Sequence, residues 1–329
     1  MKLPLLLTLA LATTLLPAPG ADAPKAAKPK PATYLTEADA RAAGPDFDLQ
    51  GEYADAGLGA QIIALGDSKF RLVLHAGGLP GAGWDKSAKT EVEGALDGMK
   101  AGFKGGEGKP SAEAAGGLLI GKDGQGKSFK LVKVFRQSPT LGAKPPAGAK
   151  VLFDGSDCDA FAGGHFDEQG RKLLAAGTKT KDSFGSFTLH ADFLLPFKPL
   201  GRGQDRGNSG VYLQDRYEVQ ILDSFGLKGA NNECGGIYTK KAPDVNMCLP
   251  PLVWQTYDID YAAAEFDGDK KTKPARVTVK HNGVVIHDQF EISGPPGGGK
   301  PEAATPGPIQ LQGPGNPVFY RNIWVVPKK

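Results

Sequence analysis

Short apolar runs with two-residue alternation, broken by Gly, Pro, Asn and Asp, recur from residue 34 onward. A period of two puts successive side chains on opposite faces of an extended strand. QIIALG (61–66), KFRLVLH (69–75), TEVEGAL (90–96), AAGGLLIG (114–121) and SFKLVKVFR (128–136) predict a first set of strands. A second set is predicted at SFTLHADFLLP (186–196), SGVYLQ (209–214), YEVQILD (217–223), WQTYDIDYAAAEF (254–266), ARVTVKHNG (275–283), VVIHDQFEI (284–292), GPIQLQG (307–313) and FYRNIWVVP (319–327). Gly-Asp-Ser after the first run and Asn-Gly at 282–283 are hairpin signals. YLTEADARAA (34–43) reads as a short helix, and no long stretch has a 3.6-residue period. The pattern predicts an all-β protein. A small antiparallel β domain spans 34–140, a linker spans 141–150, and a β-sandwich or jelly roll spans 151–329.

The start of the chain differs. Lys2 precedes an apolar run from Leu3 to Leu16, and small residues follow to Ala23. This predicts an export signal over 1–23 and a Pro/Lys/Ala linker over 24–33. The run is short for a membrane span. A secreted or periplasmic protein is expected, with no integral membrane segment after signal removal. With 329 residues there is room for two domains, and 46 glycines and 26 prolines suit a turn-rich β protein. The net charge of +3 gives no sign of a nucleic-acid partner or a polybasic membrane patch. Export permits disulfides. Cys234 and Cys248 bracket GGIYTKKAPDVNM and predict a loop staple, leaving Cys158 free; three buried thiols are the alternative. No Cys or His has metal-ligand spacing.

The chemistry concentrates in the second domain. Glu218 and Gln220 share one strand face, while Tyr217, Val219 and Ile221 share the other, which reads as core. The polar face either looks into solvent or forms a ligand site. A carboxylate beside an amide suits sugar hydroxyls, and a desolvated Glu can serve as acid or base. Asp223, just past the strand, completes the catalytic candidates. The substrate-binding candidates are Asn208, Tyr212, Gln214, Arg216 in the turn, Tyr238 between the two cysteines, and Trp254 as a stacking ring. His190 alternates with Thr188 and Asp192 onto one polar face, whereas His75 and Trp84 of the first domain read as structural. There is no Ser-His-Asp pattern, phosphate loop or zinc signature.

LFDGS (152–156), GSFTLHADFLLP, GNSGVYLQDRYEVQILDS (207–224), WQTYDIDY (254–261), HNGVVI (281–286) and GPIQLQGPGNPVFYRNIWV (307–325) occur in that order. Together they resemble the 3-keto-disaccharide hydrolase, or 3-keto-glucoside-1,2-lyase/hydratase, domain family over about 151–327. The resemblance implies a concanavalin A-like lectin/glucanase jelly-roll sandwich that cleaves 3-keto-glycosides. It implies Glu218 as acid/base. Gln220, Asn208 and Arg216 would hold the keto oxygen or hydroxyls, with Asp223 and Tyr238 in support. Gln220 stands where glucanase sandwiches carry a second carboxylate, which argues against a two-carboxylate retaining glycosidase. Elimination from a 3-keto sugar followed by hydration fits better. A divalent metal ion is an option for stabilising the enolate, with no ligand set assembled and no other cofactor expected. The implied partners are a 3-keto-sugar substrate and an upstream sugar 3-dehydrogenase. Two other expectations compete: a non-catalytic carbohydrate-binding module, and an envelope interaction protein that works through its first domain.

Overall fold

The computed structural model describes residues 32–313 and 315–328. The expected export signal and most of the 24–33 linker lie outside them. Residues 31–329 form one compact unit.

Eight antiparallel strands close a barrel: β1 Gly51–Asp55, β2 Gly57–Gly66, β3 Lys69–Gly77, β4 Thr90–Asp97, β5 Lys100–Lys104, β6 Ser111–Ala115, β7 Leu118–Lys122 and β8 Ser128–Val134. β8 returns to β1, with Lys133 opposite Tyr53. The period of two explains the interior, where Ile62, Phe70, Leu72, Phe103, Leu119 and Leu131 form one buried cluster. Two short helices, α1 Glu37–Ala42 and α2 Asp46–Leu49, precede β1. The Thr36 hydroxyl caps α1 by accepting from the Asp39 N–H.

The rest of the chain forms the sandwich. Its strands are β9 Lys150–Phe153, β10 Phe161–Ala162, β11 Leu174–Ala175, β12 Thr178–Thr180, β13 Phe187–Leu194, β14 Asn208–Leu213, β15 Tyr217–Leu222, β16 Gln255–Ala262, β17 Glu265–Asp267, β18 Lys270–Lys273, β19 Ala275–His281, β20 Val284–Ile292, β21 Gln310–Leu311 and β22 Phe319–Pro327. One sheet has the order β10-β12-β21-β14-β15; the other runs β11-β22-β13-β16-β19-β20, with β9 also on β22, and β17–β18 is a separate hairpin. Val211, Leu213, Val219 and Ile221 of the first sheet share a core with Phe187, Leu189, Phe193, Tyr257 and Ile259 of the second. Asn282 (φ 50°) and Gly283 (φ 79°) make the β19–β20 turn that Asn-Gly predicts. GPIQLQG, expected as a full strand, is reduced to the two residues of β21. Pro308 just before it has no N–H to donate.

Barrel and sandwich share their cores. Ile63, Leu65 and Val73 of the barrel belong to the sandwich cluster, and Phe197 and Leu252 of the sandwich belong to the barrel cluster. The expected linker is clamped to the second sheet. His190, on the outer face of β13, is fully buried, with Nδ1 2.6 Å from Asp258 Oδ1 and Nε2 2.9 Å from Asp192 Oδ1. Its ring stacks on Trp324 at 5.1 Å. The Thr140 hydroxyl donates to Asp258 (2.8 Å), and the Gly142 N–H donates to Asp192 (3.2 Å). Burial by itself lowers the imidazole pKa, but the hydrogen bonds that the ring donates to both carboxylates outweigh it and hold it up at about 9.

Candidate functional site

The register of β14 and β15 builds the site. Tyr212 lies opposite Glu218, and Gly210 lies opposite Gln220. β21 puts Gln310 opposite Tyr212, and β12 puts Lys179 opposite Gln310. Beyond β15, residues 235–238 run as an irregular extra strand. The Gly235 N–H donates to the Gln220 carbonyl and the Tyr238 N–H to the Glu218 carbonyl. Directly paired residues share a face, so Lys179, Gln310, Tyr212, Glu218 and Tyr238 form one row across the outer surface. At the usual strand spacing such a row spans about 19 Å. The neighbouring row is Gln312, Gly210, Gln220 and Gly236.

The centre of this face does not look into solvent, since Glu218 and Gln220 are each 1% exposed, although Lys179 at the end of the row is exposed. A Cβ on Gly210 would lie 2.1 Å from Glu218 Oε1, so the carboxylate leans over a residue without a side chain. That is the physical reason for the second glycine in GNSGVY. The Tyr212 hydroxyl donates to Glu218 and is hydrogen-bonded in turn by the Gln312 side chain. Turned toward Glu218, the Gln220 amide nitrogen donates to Ser209 O (2.9 Å) and Glu218 Oε1 (3.0 Å); turned away, it donates to Gln204 Oε1 (2.9 Å). Asn208 Nδ2 donates to Gln204 O and Oε1, both at 3.2 Å. Burial pushes the Glu218 carboxyl up to about 7, against the opposing pull of the Tyr212 hydrogen bond. Loops cover the face. The Cβ position of Gly298 is 2.9 Å from Tyr212 Oη, and that of Gly236 is 2.6 Å from Asn231 O. Open clefts lie elsewhere, as in one of 420 Å³ lined by Asp154, Asp157, Lys181 and their neighbours.

Glu218, Gln220, Asn208, Tyr212 and half-buried Tyr238 thus come together; four other predicted residues do not. Gln214 sits at φ 56° past β14, where its Oε1 accepts from Tyr261 and Arg216 and its Nε2 donates to the Phe184 carbonyl. Arg216 is spent on Gln214 and on the Pro301 and Thr305 carbonyls as a buried loop clamp, away from the row at Glu218. Asp223 pairs with Arg206 at 2.8 Å, fully desolvated, and caps the Phe225 N–H. It closes the turn after β15 and does not join Glu218. Trp254 lies against Arg321, whose guanidinium is 4.0 Å from its ring, in a cluster with Leu194 and Phe319 on the other sheet. The staple is also corrected. Cys234 and Cys248 are buried free thiols that hydrogen-bond to each other, with Cys234 Sγ also 3.3 Å from Tyr257 Oη. Core burial, not a covalent bond, holds this loop.

Sequence reasoning missed Gln204, Gln310 and Gln312. The last two were signalled by the alternation in IQLQ, whose apolar members are buried. Gln204 arrives from an irregular turn with no periodic signal. Among the described residues no group of three or more His, Cys, Asp or Glu is arranged to hold a metal. Glu218 has amide and phenol neighbours, a poor donor set for a divalent ion.

With this geometry in hand, residues 148–326, just over half of the chain, match the model of the 3-keto-alpha-glucoside-1,2-lyase-like domain. The chain belongs to that family. Among solved structures, the lyase-like domain is similar to a "putative glycosyl hydrolase" of Parabacteroides distasonis. That match has 33% identity and a TM-score of 0.51 over 56% of this chain and 85% of the other. A second structure of the same description and organism matches at 16% identity and a TM-score of 0.42, over 55% of this chain and 94% of that one. No curated protein matches the chain.

Proposed function

We propose that the protein is an exported carbohydrate-active enzyme that cleaves 3-keto-glycosides, with Glu218 as its acid/base. The observation that carries this reading is Glu218 itself. It is a buried carboxyl held near neutrality by desolvation, fixed by Tyr212 and Gln220, on the one strand face that collects amides and phenols. Family membership and the 33%-identical neighbour, described as a glycosyl hydrolase, support the broader class.

The chemistry follows from the substrate. A ketone at C3 acidifies the C2 proton. Glu218 takes that proton, the C1–O bond breaks as the C1–C2 double bond forms, and the departing oxygen is protonated. Water then adds across the enone, and the sum is hydrolysis. Gln220 and Tyr212 orient the carboxylate, and Asn208 and Gln310 offer hydrogen bonds to hydroxyls. A carboxylate near pKa 7 suits a proton that leaves and returns at neutral pH. The residues around Glu218 do not make a metal cage, so no step is routed through an ion. Since Glu218 is covered, sugar entry requires the Gly298 loop to lift from Tyr212.

The test is product analysis of the exported form with 3-keto-trehalose or a 3-keto-glucoside, with and without EDTA, in D₂O and H₂¹⁸O. Released aglycone with deuterium at C2 is the expected outcome. Saturable binding without any product across several keto-sugars would replace this reading with that of a lectin.

A further inference from the structure

A second cleft, of 170 Å³, lies where the sandwich segment 250–253 meets the end of the barrel beside α1 and α2. Three features there are unused by the chemistry at Glu218. Gln50 lines the cleft and is 3% exposed. Its Oε1 accepts from the Ala64 N–H at 3.0 Å, but its Nε2 has no partner, an orphaned donor of the kind that native proteins seldom leave. Phe135 lines the same cleft with 85% of its surface exposed, the most exposed large apolar residue among the described residues. The Lys133 stem crosses the bare Cα of Gly51, where a Cβ would lie 2.7 Å from its Cε. Its ammonium lies over the Phe135 ring, 5.7 Å from the centroid.

The charges on the walls cancel. Arg41 pairs with Glu37 and Asp48, and Arg136 pairs with Glu52. Lys133 donates to the Asp48 carbonyl and feels the carboxylates of Asp48 and Glu37, with Arg41 opposing. A charged guest would therefore enter a half-buried site without a counter-ion. Apolar walls from Phe47, Phe135, Pro250 and Pro251, beside fixed donors and paired carboxylates, instead match a ring with apolar faces and a rim of hydroxyls. The volume is below that of drug-sized sites and holds one ring, not an extended chain.

We propose that this cleft is a second, non-catalytic site that binds one neutral pyranose ring, stacked on Phe135 and hydrogen-bonded by Gln50 and Lys133. It stands on its own residues and does not depend on turnover at Glu218.

Saturation-transfer NMR and calorimetry on the full chain with methyl α-D-glucopyranoside and with trehalose test it. Saturable binding with a Kd on the order of 1 mM is expected for so small a ligand. Phe135→Ala, an exposed position, and Lys133→Met, which keeps the stem, should each weaken binding about tenfold. Tyr212→Phe should keep the binding, since it alters only the outer face of β14. No saturable binding up to about 100 mM overturns the proposal. So does binding that both cleft variants retain and Tyr212→Phe loses. Tighter binding of glucuronate than of the neutral glucoside would also overturn it, as the mark of an anion site.

Discussion

Glu218 and Gly210 work as a pair, because the carboxylate occupies the space that a side chain at 210 would fill. Gly210→Ala should cut kcat/KM about 100-fold or more by turning the carboxylate away, at a stability cost of roughly 1–3 kcal/mol; steady-state kinetics and a melt measure the two. Glu218→Gln should lower turnover by about 10²–10⁴-fold and leave the fold intact. It should also change how stability depends on pH. The native carboxyl titrates near 7 against 4.5 for the ordinary group, so the folded protein holds a proton that the unfolded chain has released. The stability this contributes is complete below pH 4.5 and is lost as pH rises through 7, a change on the order of 3 kcal/mol. Melts at pH 4.5 and 8 should show that drop in the wild type and not in Glu218→Gln. The pairing of Glu218 with Gln220 was legible from a period of two. The burial of both was not, because the cover comes from irregular loops without periodic signal, around Asn231 and, far along the chain, Gly298.

Strands were the most readable elements. β20 and β22 coincide with runs of alternating sequence, and the β19–β20 turn follows from Asn-Gly alone. Turns and loops were less readable. Arg216 and Asp223 looked like ligands because they neighbour Glu218 along the chain, yet their charges are consumed by backbone carbonyls and by Arg206. The polar face of β13 was visible in Thr188, His190 and Asp192, but its purpose was not, since Asp258 and the 138–143 segment arrive from elsewhere. The His190 imidazole is held up at about 9, above its ordinary 6.5. Its contribution to stability is therefore complete below pH 6.5 and disappears as pH rises through 9. The melting temperature should fall over that interval in the wild type and less in His190→Gln. In that variant, limited proteolysis should cut first near residues 138–143.

At the scale of the molecule, two architectures share one interior. Ile63, on β2, is packed among sandwich side chains, and its Cδ1 is 2.3 Å from where a Cβ on Gly226 would stand. Ile63→Ala should cost about 2–5 kcal/mol and lower a single cooperative transition in calorimetry; two separate transitions would contradict a shared core. Removing residues 34–140 would strip apolar cover from the turn after β15 and from Gly226. Loss of function in that deletion would not identify the barrel as an interaction module, whereas variants on the barrel's outer surface would separate the two causes. Sequence patterning gave both β regions. It could not give their fusion. Ile63 and Val73 interrupt the alternation, each flanked by apolar residues of the barrel interior, so both faces of β2 and β3 are marked as covered; nothing local says that the sandwich is the cover.

The extra strand at 235–238 has a consequence of a different kind. An unpaired strand edge invites neighbouring chains to add to it and begin a fibril. Here the barrel has no edge, β15 is covered across its middle at Glu218–Gln220, and β10 and β11 are two residues each. Among the described residues the long edge left, β20, is bulged at Gln289 (φ 46°) and carries Asp288 and Glu291. The other open edges among those residues, β9 and the β17–β18 hairpin, are no longer than four residues, so the long strands of this β protein are closed, covered or bulged against edge-to-edge growth.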